Sequence, residues 1–260
     1  MPGRVVIHVR GSGPDLVMVH GWGMHSGVWG RVANDLATRW RLHLVDVPGH
    51  GASRDMRLGP DLSAIAALIA AETPPATWIG WSMGGLISLQ AAIDLPRQCE
   101  RMILVATNPS FVVRDHWPQG VDEALFTGFA DELNRDFQGT LNRFLVLETL
   151  GSDTARESLR RLKADLHNGQ VPDLHALRSG LKILRDTDYT AALSGIGQQA
   201  LWLAGGRDKL VPPGAMKKAA SLMPRAQFHR LPGAGHAPFI GHGGEFVTRV
   251  ERFLCAGPES

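Results

Sequence analysis

The chain has 260 residues, of which 44% are hydrophobic and 20% are charged, as is usual for a globular protein with a sizeable core. This length favours one large domain, or one domain that carries an insertion. A formal net charge of +2 is too small to indicate nucleic acid or an anionic membrane as a partner. No apolar run approaches the roughly 18 residues that a membrane span needs. Because Arg4, His8 and Arg10 interrupt the N-terminal apolar stretch, no signal peptide is predicted. We therefore expect a cytoplasmic protein with both cysteines reduced.

The first half of the sequence alternates short apolar runs with helical patterns. Strands are predicted at residues 4–10, 16–20, 41–47, 77–80 and 101–106. Apolar residues recur at helical spacing over residues 62–72 and 83–95. Buried runs that alternate with helices indicate parallel strands covered on both faces. This half therefore predicts an α/β fold with a mostly parallel central sheet.

The pattern changes between residues 111 and 189, where no convincing strand is found. Helices are predicted there at residues 122–136, 138–150, 153–167 and 173–185. Asp153 and Asp173 stand where N-caps would, directly before apolar-periodic segments. The alternation then resumes with strands at 200–204 and 227–231 and helices near 214–222 and 245–254. We predict a core of residues 1–110 and 190–260, with residues 111–189 as a helical lid that excludes water from a pocket at the strand ends.

The pentapeptide Gly80-Trp81-Ser82-Met83-Gly84 matches G-x-S-x-G and lies between a predicted strand and a predicted helix. The turn in this motif is so tight that the residues two before and two after the serine nearly touch. Glycine at both places removes the Cβ atoms that would clash. Glycine-flanked serines also occur in ordinary turns, but the strand before and the helix after make Ser82 the predicted nucleophile. The helix N-terminus behind it favours developing negative charge.

A serine hydroxyl needs a neutral imidazole to take its proton near pH 7, and the chain order in this arrangement is serine, acid, histidine. Asp208 follows the predicted strand 200–204, and His236 follows the strand 227–231. Both therefore lie in loops at strand ends, as Ser82 does. We predict His236 as the general base and Asp208 as the residue that orients it.

Other polar residues compete for these roles. His242 is the closest rival to His236, but it follows the Pro238-Phe239-Ile240 segment, one turn late. His20 is interpreted as a brace of its own loop. Asp46 ends a predicted strand and is interpreted as structural.

The negative charge that acyl transfer builds on a carbonyl oxygen calls for preorganised backbone N–H donors. One donor is expected from Met83, directly after the nucleophile. The second is expected from the loop of residues 20–23, where the backbone of Trp22 is the best candidate and its indole is free to wall the pocket. No histidine or cysteine pair has metal-ligand spacing on a helix, and no Walker-type loop is found. No metal or cofactor is therefore expected.

Segments throughout the chain resemble the pimeloyl-[acyl-carrier protein] methyl ester esterases of biotin synthesis, a family of the α/β-hydrolase superfamily. In the core, the similar segments are residues 16–23, 28–29, 42–49, 80–85 and 236–240. In the predicted lid, they are residues 114–118, 136–138 and 143–145. A match that includes the lid, the part that varies most among relatives, is far more specific than G-x-S-x-G alone.

The resemblance implies an α/β-hydrolase fold and a carboxylesterase that removes the methyl ester from a pimeloyl chain on its carrier protein. It implies that Ser82, Asp208 and His236 form the triad. It also implies substrate contacts from Trp22, Ser82, Met83 and His236, and from the lid residues Phe144, Leu145, Val146, Leu147 and Glu148. Glu148 departs from the family, in which an amide is expected at this position.

The implied partner is an acidic acyl carrier protein, for which the lid should offer a basic face. Arg156, Arg160 and Lys163 fall at helical i, i+4, i+7 spacing, and Arg143 precedes them on the neighbouring predicted helix. These four residues are the predicted docking site. A monomer is expected.

Two other functions compete with this one. A broad short-chain carboxylesterase or a carbon–carbon bond hydrolase would use the same scaffold and triad. A ligand receptor that keeps the fold without chemistry is disfavoured by the complete triad and oxyanion loop. Haloalkane dehalogenase and epoxide hydrolase chemistry needs a carboxylate at the position of Ser82 and is also disfavoured.

Overall fold

A computed structural model describes residues 4–57, 59–168 and 171–256. Seven strands in these ranges form a single sheet with the order β1-β3-β2-β4-β5-β6-β7. The strands are β1 (Ile7–Arg10), β2 (Asp15–Val19), β3 (Arg41–Val45), β4 (Ala76–Trp81), β5 (Cys99–Val105), β6 (Gln199–Gly205) and β7 (Ala226–Leu231). The pair β1–β3 is antiparallel and the other neighbouring pairs are parallel. The predicted mostly parallel sheet is therefore confirmed.

The central strands are apolar because both of their faces are covered. All six residues of β4 are buried, and β2 is buried from Leu16 to Val19. By contrast, the edge strand β1 is largely exposed. The parallel strands β2, β4, β5 and β6 bring their carboxyl ends to the same edge of the sheet, where loops after them can meet.

Helices cover the sheet and join its strands. Those of the core are α1 (Gly30–Leu36), α2 (Leu62–Ala71), α3 (Met83–Asp94), α8 (Pro213–Leu222), α9 (Pro238–Gly241) and α10 (Gly243–Cys255). The sequence prediction omitted α1, the short α9 and a 3-10 helix at Ser26–Trp29. Glycines at positions 27 and 30 interrupt the segment that forms the 3-10 helix and α1. The four residues of α9 are too few to show a helical period.

The predicted strand 41–47 extends too far, since β3 ends at Val45. The next residue, Asp46, turns its carboxylate to backbone N–H groups, accepting from Ser26 at 2.7 Å and from Ala52 at 2.8 Å. These bonds confirm the structural interpretation of Asp46. The predicted strand 4–10 likewise begins only at Ile7.

Between β5 and β6 the described residues form four α-helices, in a segment here called the helical insertion (residues 111–189). They are α4 (Glu123–Leu133), α5 (Phe137–Thr149), α6 (Ala155–Asn168) and α7 (Leu174–Asp186). Asp122, Asp136 and Asp173 cap α4, α5 and α7 by accepting backbone N–H bonds. Asp153 lies one residue too early to be adjacent to α6, and its carboxylate lies 3.2 Å from His242 Nε2. In the described part of the insertion, β-pairing is limited to the isolated bridges Val112–Val121 and Arg114–Trp117. Across the described ranges, no helix has the length and apolar character to cross a membrane.

Candidate active site

Ser82 occupies a strained turn between β4 and α3. Its backbone has φ 54° and ψ −118°, a left-handed conformation that costs a non-glycine residue about 1–3 kcal/mol. The neighbouring glycines make the turn possible. A Cβ on Gly80 would lie 2.3 Å from the carbonyl oxygen of Gly84, and one on Gly84 would lie 2.2 Å from that of Val19. The turn therefore requires glycine at both positions, as the sequence argument proposed.

The structure brings Ser82, His236 and Asp208 together across the ends of β4, β6 and β7. His236 Nε2 lies 2.9 Å from Ser82 Oγ, and His236 Nδ1 lies 2.8 Å from Asp208 Oδ2. The carboxylate accepts a hydrogen bond from Nδ1–H, so Nε2 is the free acceptor for the serine proton. The side chains of His236 and Asp208 are fully buried. This geometry suits general-base activation of the hydroxyl.

Hydrogen bonds from residues outside the triad hold Asp208 and the backbone of His236 in place. Asp208 Oδ1 accepts from the N–H groups of Leu210 at 2.8 Å and Val211 at 2.9 Å. The other oxygen is thereby left facing His236. The indole Nε1 of Trp81 donates to the carbonyl of His236 at 2.8 Å, which ties the residue before the nucleophile to the histidine loop.

The loop after β2 lies directly against the nucleophile. A Cβ on Gly21 would lie 3.3 Å from Ser82 Cβ, so the backbone of residues 21 and 22 borders the serine. Met83 begins α3, and the first N–H groups of a helix have no intrahelical acceptor. Trp22 and Met83 thus lie next to Gly21 and Ser82 in the chain, and their backbone N–H groups stay the predicted oxyanion donors.

His20 fixes the orientation of this loop. Val47 N–H donates to its Nε2 at 3.0 Å, which leaves Nδ1 as the protonated nitrogen that donates to Gly21 O at 2.8 Å. Burial, and next the neighbouring His50, lower the pKa of His20 to about 3. Because a trans peptide places C=O and N–H on opposite sides, the bond to Gly21 O turns Trp22 N–H away from His20. His20 therefore braces the loop, as expected from the sequence.

The helical insertion packs directly on the loop of residues 20–23, the predicted oxyanion loop. Trp22 Nε1 donates to Leu177 O on α7 at 2.8 Å, and the Trp22 ring lies 4.5 Å from that of Phe144 on α5. A Cβ on Gly180 of α7 would lie 2.5 Å from Trp22 Cδ1. The sequence prediction missed Gly180. The only signal in the sequence was a glycine inside an apolar helical pattern. That pattern does not show which residue the glycine contacts.

The five predicted substrate contacts on α5 do not share one face. Phe144, Leu145 and Glu148 are buried, Leu147 is half-buried, and Val146 is 45% exposed. Successive residues of a helix point in different directions, so five in a row cannot line one pocket. The structure gives no support to the predicted substrate contact of Val146.

Glu148 lies at the end of α5 with a carboxyl group cut off from water. Its exposure is 1%, and neither side-chain oxygen has a hydrogen-bond partner among the described residues. Burial first, and the charge of Asp208 second, raise its pKa well above the usual range. A neutral carboxylic acid is the form that this environment favours.

The predicted docking residues lie on two helices. Arg156 and Arg160 are exposed on α6, and Lys163 on the same helix is half-buried. Arg143 on α5 is engaged within the insertion, with contacts of 2.9 Å to Glu132 and 3.4 Å to Asp136. Arg156 and Arg160 are thus the most open cations of this predicted patch.

Comparison with known proteins identifies the fold family. A family model described as the alpha/beta hydrolase fold matches residues 14–243. The chain therefore belongs to the α/β-hydrolase fold family. An esterase from Exiguobacterium antarcticum superposes with a TM-score of 0.86 at 21% identity, covering 96% of this chain and 95% of that chain. At that identity the likeness supports the fold alone.

Two curated relatives are more similar in sequence, and both are named Pimeloyl-[acyl-carrier protein] methyl ester esterase. The protein of Xanthomonas oryzae pv. oryzae (strain MAFF 311018) is 46% identical over 252 residues, 97% of this chain and 99% of the relative. That of Stenotrophomonas maltophilia (strain K279a) is 46% identical over 250 residues, 96% of each. The resemblance expected from the sequence segments is confirmed.

Proposed function

We propose that this protein is a serine carboxylesterase that hydrolyses pimeloyl-[acyl-carrier protein] methyl ester to pimeloyl-[acyl-carrier protein] and methanol, a step of biotin synthesis. One observation carries the chemistry: Ser82 Oγ, His236 and Asp208 are joined by contacts of 2.9 and 2.8 Å. The substrate comes from the curated relatives, which are 46% identical over nearly the whole chain. Cytoplasmic location and a monomeric state remain predictions.

In the first half of the reaction, Ser82 Oγ attacks the carbonyl carbon of the methyl ester while His236 Nε2 takes the hydroxyl proton. The tetrahedral oxyanion is held by the N–H groups of Trp22 and Met83. His236 then gives its proton to the methoxy oxygen as the carbon–oxygen bond breaks. Methanol leaves, and the pimeloyl chain stays bound to Ser82 as an ester.

In the second half, water takes the place of methanol. His236 removes a proton from the water, whose oxygen attacks the acyl-enzyme carbonyl, and the same N–H groups hold the second oxyanion. Collapse returns the proton to Ser82 Oγ and releases the free carboxyl end of the pimeloyl chain. Asp208 holds the imidazole in one tautomer and stabilises its charged form throughout.

The role of the helical insertion as a lid belongs to the same proposal. Trp22 and Phe144 supply an apolar wall beside the nucleophile, which suits the methylene groups of an acyl chain. Contacts from α5 and α7 to the oxyanion loop exclude water from the reacting carbonyl.

The decisive assay compares purified protein on carrier-bound pimeloyl methyl ester with the shorter glutaryl and longer azelayl esters. We expect the highest kcat/KM on the pimeloyl ester. Ser82→Ala should abolish turnover and fluorophosphonate labelling and leave the circular dichroism spectrum unchanged. Equal rates on all three esters and on short free esters would favour the broad esterase instead, and turnover by Ser82→Ala would remove the mechanism.

Carrier-protein docking at α6 is tested separately. Arg156→Glu with Arg160→Glu should raise KM for the carrier-bound ester and spare a small p-nitrophenyl ester, because only the former needs the acidic carrier. Lys217→Glu with Lys218→Glu changes the same number of exposed charges on α8 and serves as the control. Equal losses with both double variants, or equal losses on both substrates, would contradict docking at α6.

A further inference from the structure

Glu148 is connected through its backbone to the loop that carries the catalytic histidine. His236 N–H donates to Glu148 O at 3.1 Å. Since α5 ends at Thr149, no N–H group of the helix is left to donate to this carbonyl. A few residues later, Asp153 N–H donates to Gly233 O at 3.1 Å. Both ends of the segment 233–236 are therefore hydrogen-bonded to the end of α5 and the turn after it.

The side chain of Glu148 makes no such bonds. It is buried beside Asp208, and both of its oxygens lack a hydrogen-bond partner among the described residues. An ionised carboxylate in this position would face a second carboxylate with no compensating donor. The buried position therefore favours the protonated side chain.

Charged groups around Glu148 do not compensate for ionisation. The charge of Asp208, in the loop after β6, acts on Glu148, and the backbone of His236, in the loop after β7, contacts it. The side chains of Asp208 and His236 are already paired with each other. Around the turn after α5, Arg207, Lys209 and Asp153 are exposed and His242 is half-buried. Asp153 Oδ1 and His242 Nε2 lie 3.2 Å apart. On α5 itself, Arg143 contacts Glu132 and Asp136.

We propose that Glu148 is a positioning residue that holds the end of α5 against the loop of His236, through its backbone carbonyl and through a side chain that packs beside Asp208 while protonated. Loss of the proton draws the carboxylate toward water. The end of α5 then withdraws, and the bond from His236 N–H to Glu148 O is broken. The inference rests on the proposed triad, because it acts through His236.

The test is the pH dependence of p-nitrophenyl ester hydrolysis, expressed as the ratio of kcat/KM at pH 9.5 to that at pH 7. Glu148→Gln keeps the shape of the side chain and is neutral at every pH. In the unaltered protein, kcat/KM should fall by about tenfold per pH unit above the point where Glu148 ionises, since one proton controls the active form. The ratio should be higher in Glu148→Gln. Glu157→Gln, the same change at an exposed position of α6, should keep the ratio of the unaltered protein.

Infrared difference spectra between the unaltered protein and Glu148→Gln give a second readout that does not depend on activity. At pH 7 the difference should contain the carbonyl band of a protonated carboxylic acid. An ionised carboxylate band in its place, or the same activity ratio in both proteins, would overturn the inference. Ser82→Ala distinguishes a failure of the role proposed for Glu148 from a failure of the triad. If that variant is inactive and the ratios agree, only the role of Glu148 fails, whereas turnover by Ser82→Ala would refute the triad itself.

Discussion

The contact between α7 and Trp22 leads to a prediction about Gly180. Alanine is favoured over glycine inside a helix by about 0.5–1 kcal/mol, so Gly→Ala usually stabilises. At Gly180, however, the new Cβ would lie 2.5 Å from Trp22 Cδ1 and 3.1 Å from Met83 Sδ. Carbon atoms pack at about 3.5–4.0 Å, so Trp22 or α7 must move by about 1 Å. Overpacking of this kind costs about 1–3 kcal/mol, which outweighs the helix preference.

Gly128 on α4 is the matched control, because a Cβ there meets no heavy atom within 4 Å. Gly128→Ala should raise the free energy of unfolding by about 0.5–1 kcal/mol, which corresponds to about 1–4 °C in Tm. Gly180→Ala should lower it by up to about 2.5 kcal/mol, the overpacking cost less the helix preference. It should also reduce kcat on a small ester by about 10- to 100-fold, since Trp22 is the proposed second oxyanion donor and a displacement of about 1 Å has effects of that order.

Differential scanning calorimetry and steady-state kinetics on both variants make the comparison. If Gly180→Ala gains as much stability as Gly128→Ala and turns over at the unaltered rate, α7 does not press on the oxyanion loop. The assignment of Trp22 as a buried wall of the site would then be wrong.

Three further predictions concern buried polar groups. Because the pKa of Glu148 is raised in the folded protein, the folded state keeps a proton that the unfolded chain releases above the ordinary pKa of 4.5. Stability therefore falls as pH rises from 4.5 to the pKa of the folded state. Glu148→Gln should therefore raise Tm. Its gain in the free energy of unfolding should grow by about 1.4 kcal/mol per pH unit in that window and be small at pH 4. A gain independent of pH would contradict this prediction. His20→Ala should reduce kcat by about 100-fold with little change in KM. His20→Asn, whose amide can donate to Gly21 O, should recover more activity than His20→Gln. Equal rates for the two amide variants would count against the bond to Gly21. Asp46→Asn should destabilise the protein by about 1–3 kcal/mol in urea unfolding, because either the buried N–H of Ser26 or the part-buried N–H of Ala52 loses its acceptor. An unchanged midpoint would refute this account.

The sheet was predictable because burial on both faces leaves an uninterrupted apolar run in a strand such as β4. The strained turn was predictable too, since only glycine fits two residues on either side of Ser82. The helix α1 was missed although Val32, Ala33 and Leu36 are buried at helical spacing, because it has only seven residues and begins at Gly30, a poor helix former. In each case, the outcome depended on whether the local chemistry left a pattern in nearby residues.

The site beyond the triad depended on contacts between residues far apart in the chain. Gly180 and Trp22 are separated by 158 positions, and no local pattern links them. The environment of Glu148 depends on Asp208, which the chain reaches only after two more helices of the insertion. Sequence reasoning identified Glu148 as a departure from the family. The absence of partners for its carboxyl group followed only from the fold.

The left-handed backbone of Ser82 sets folding and activity against each other at one residue. Glycine would relax that conformation, so the inactive Ser82→Gly protein should have a higher Tm than the active protein. The catalytic serine therefore lowers the stability of the folded protein, and the packing of β4 against its neighbouring strands offsets that cost.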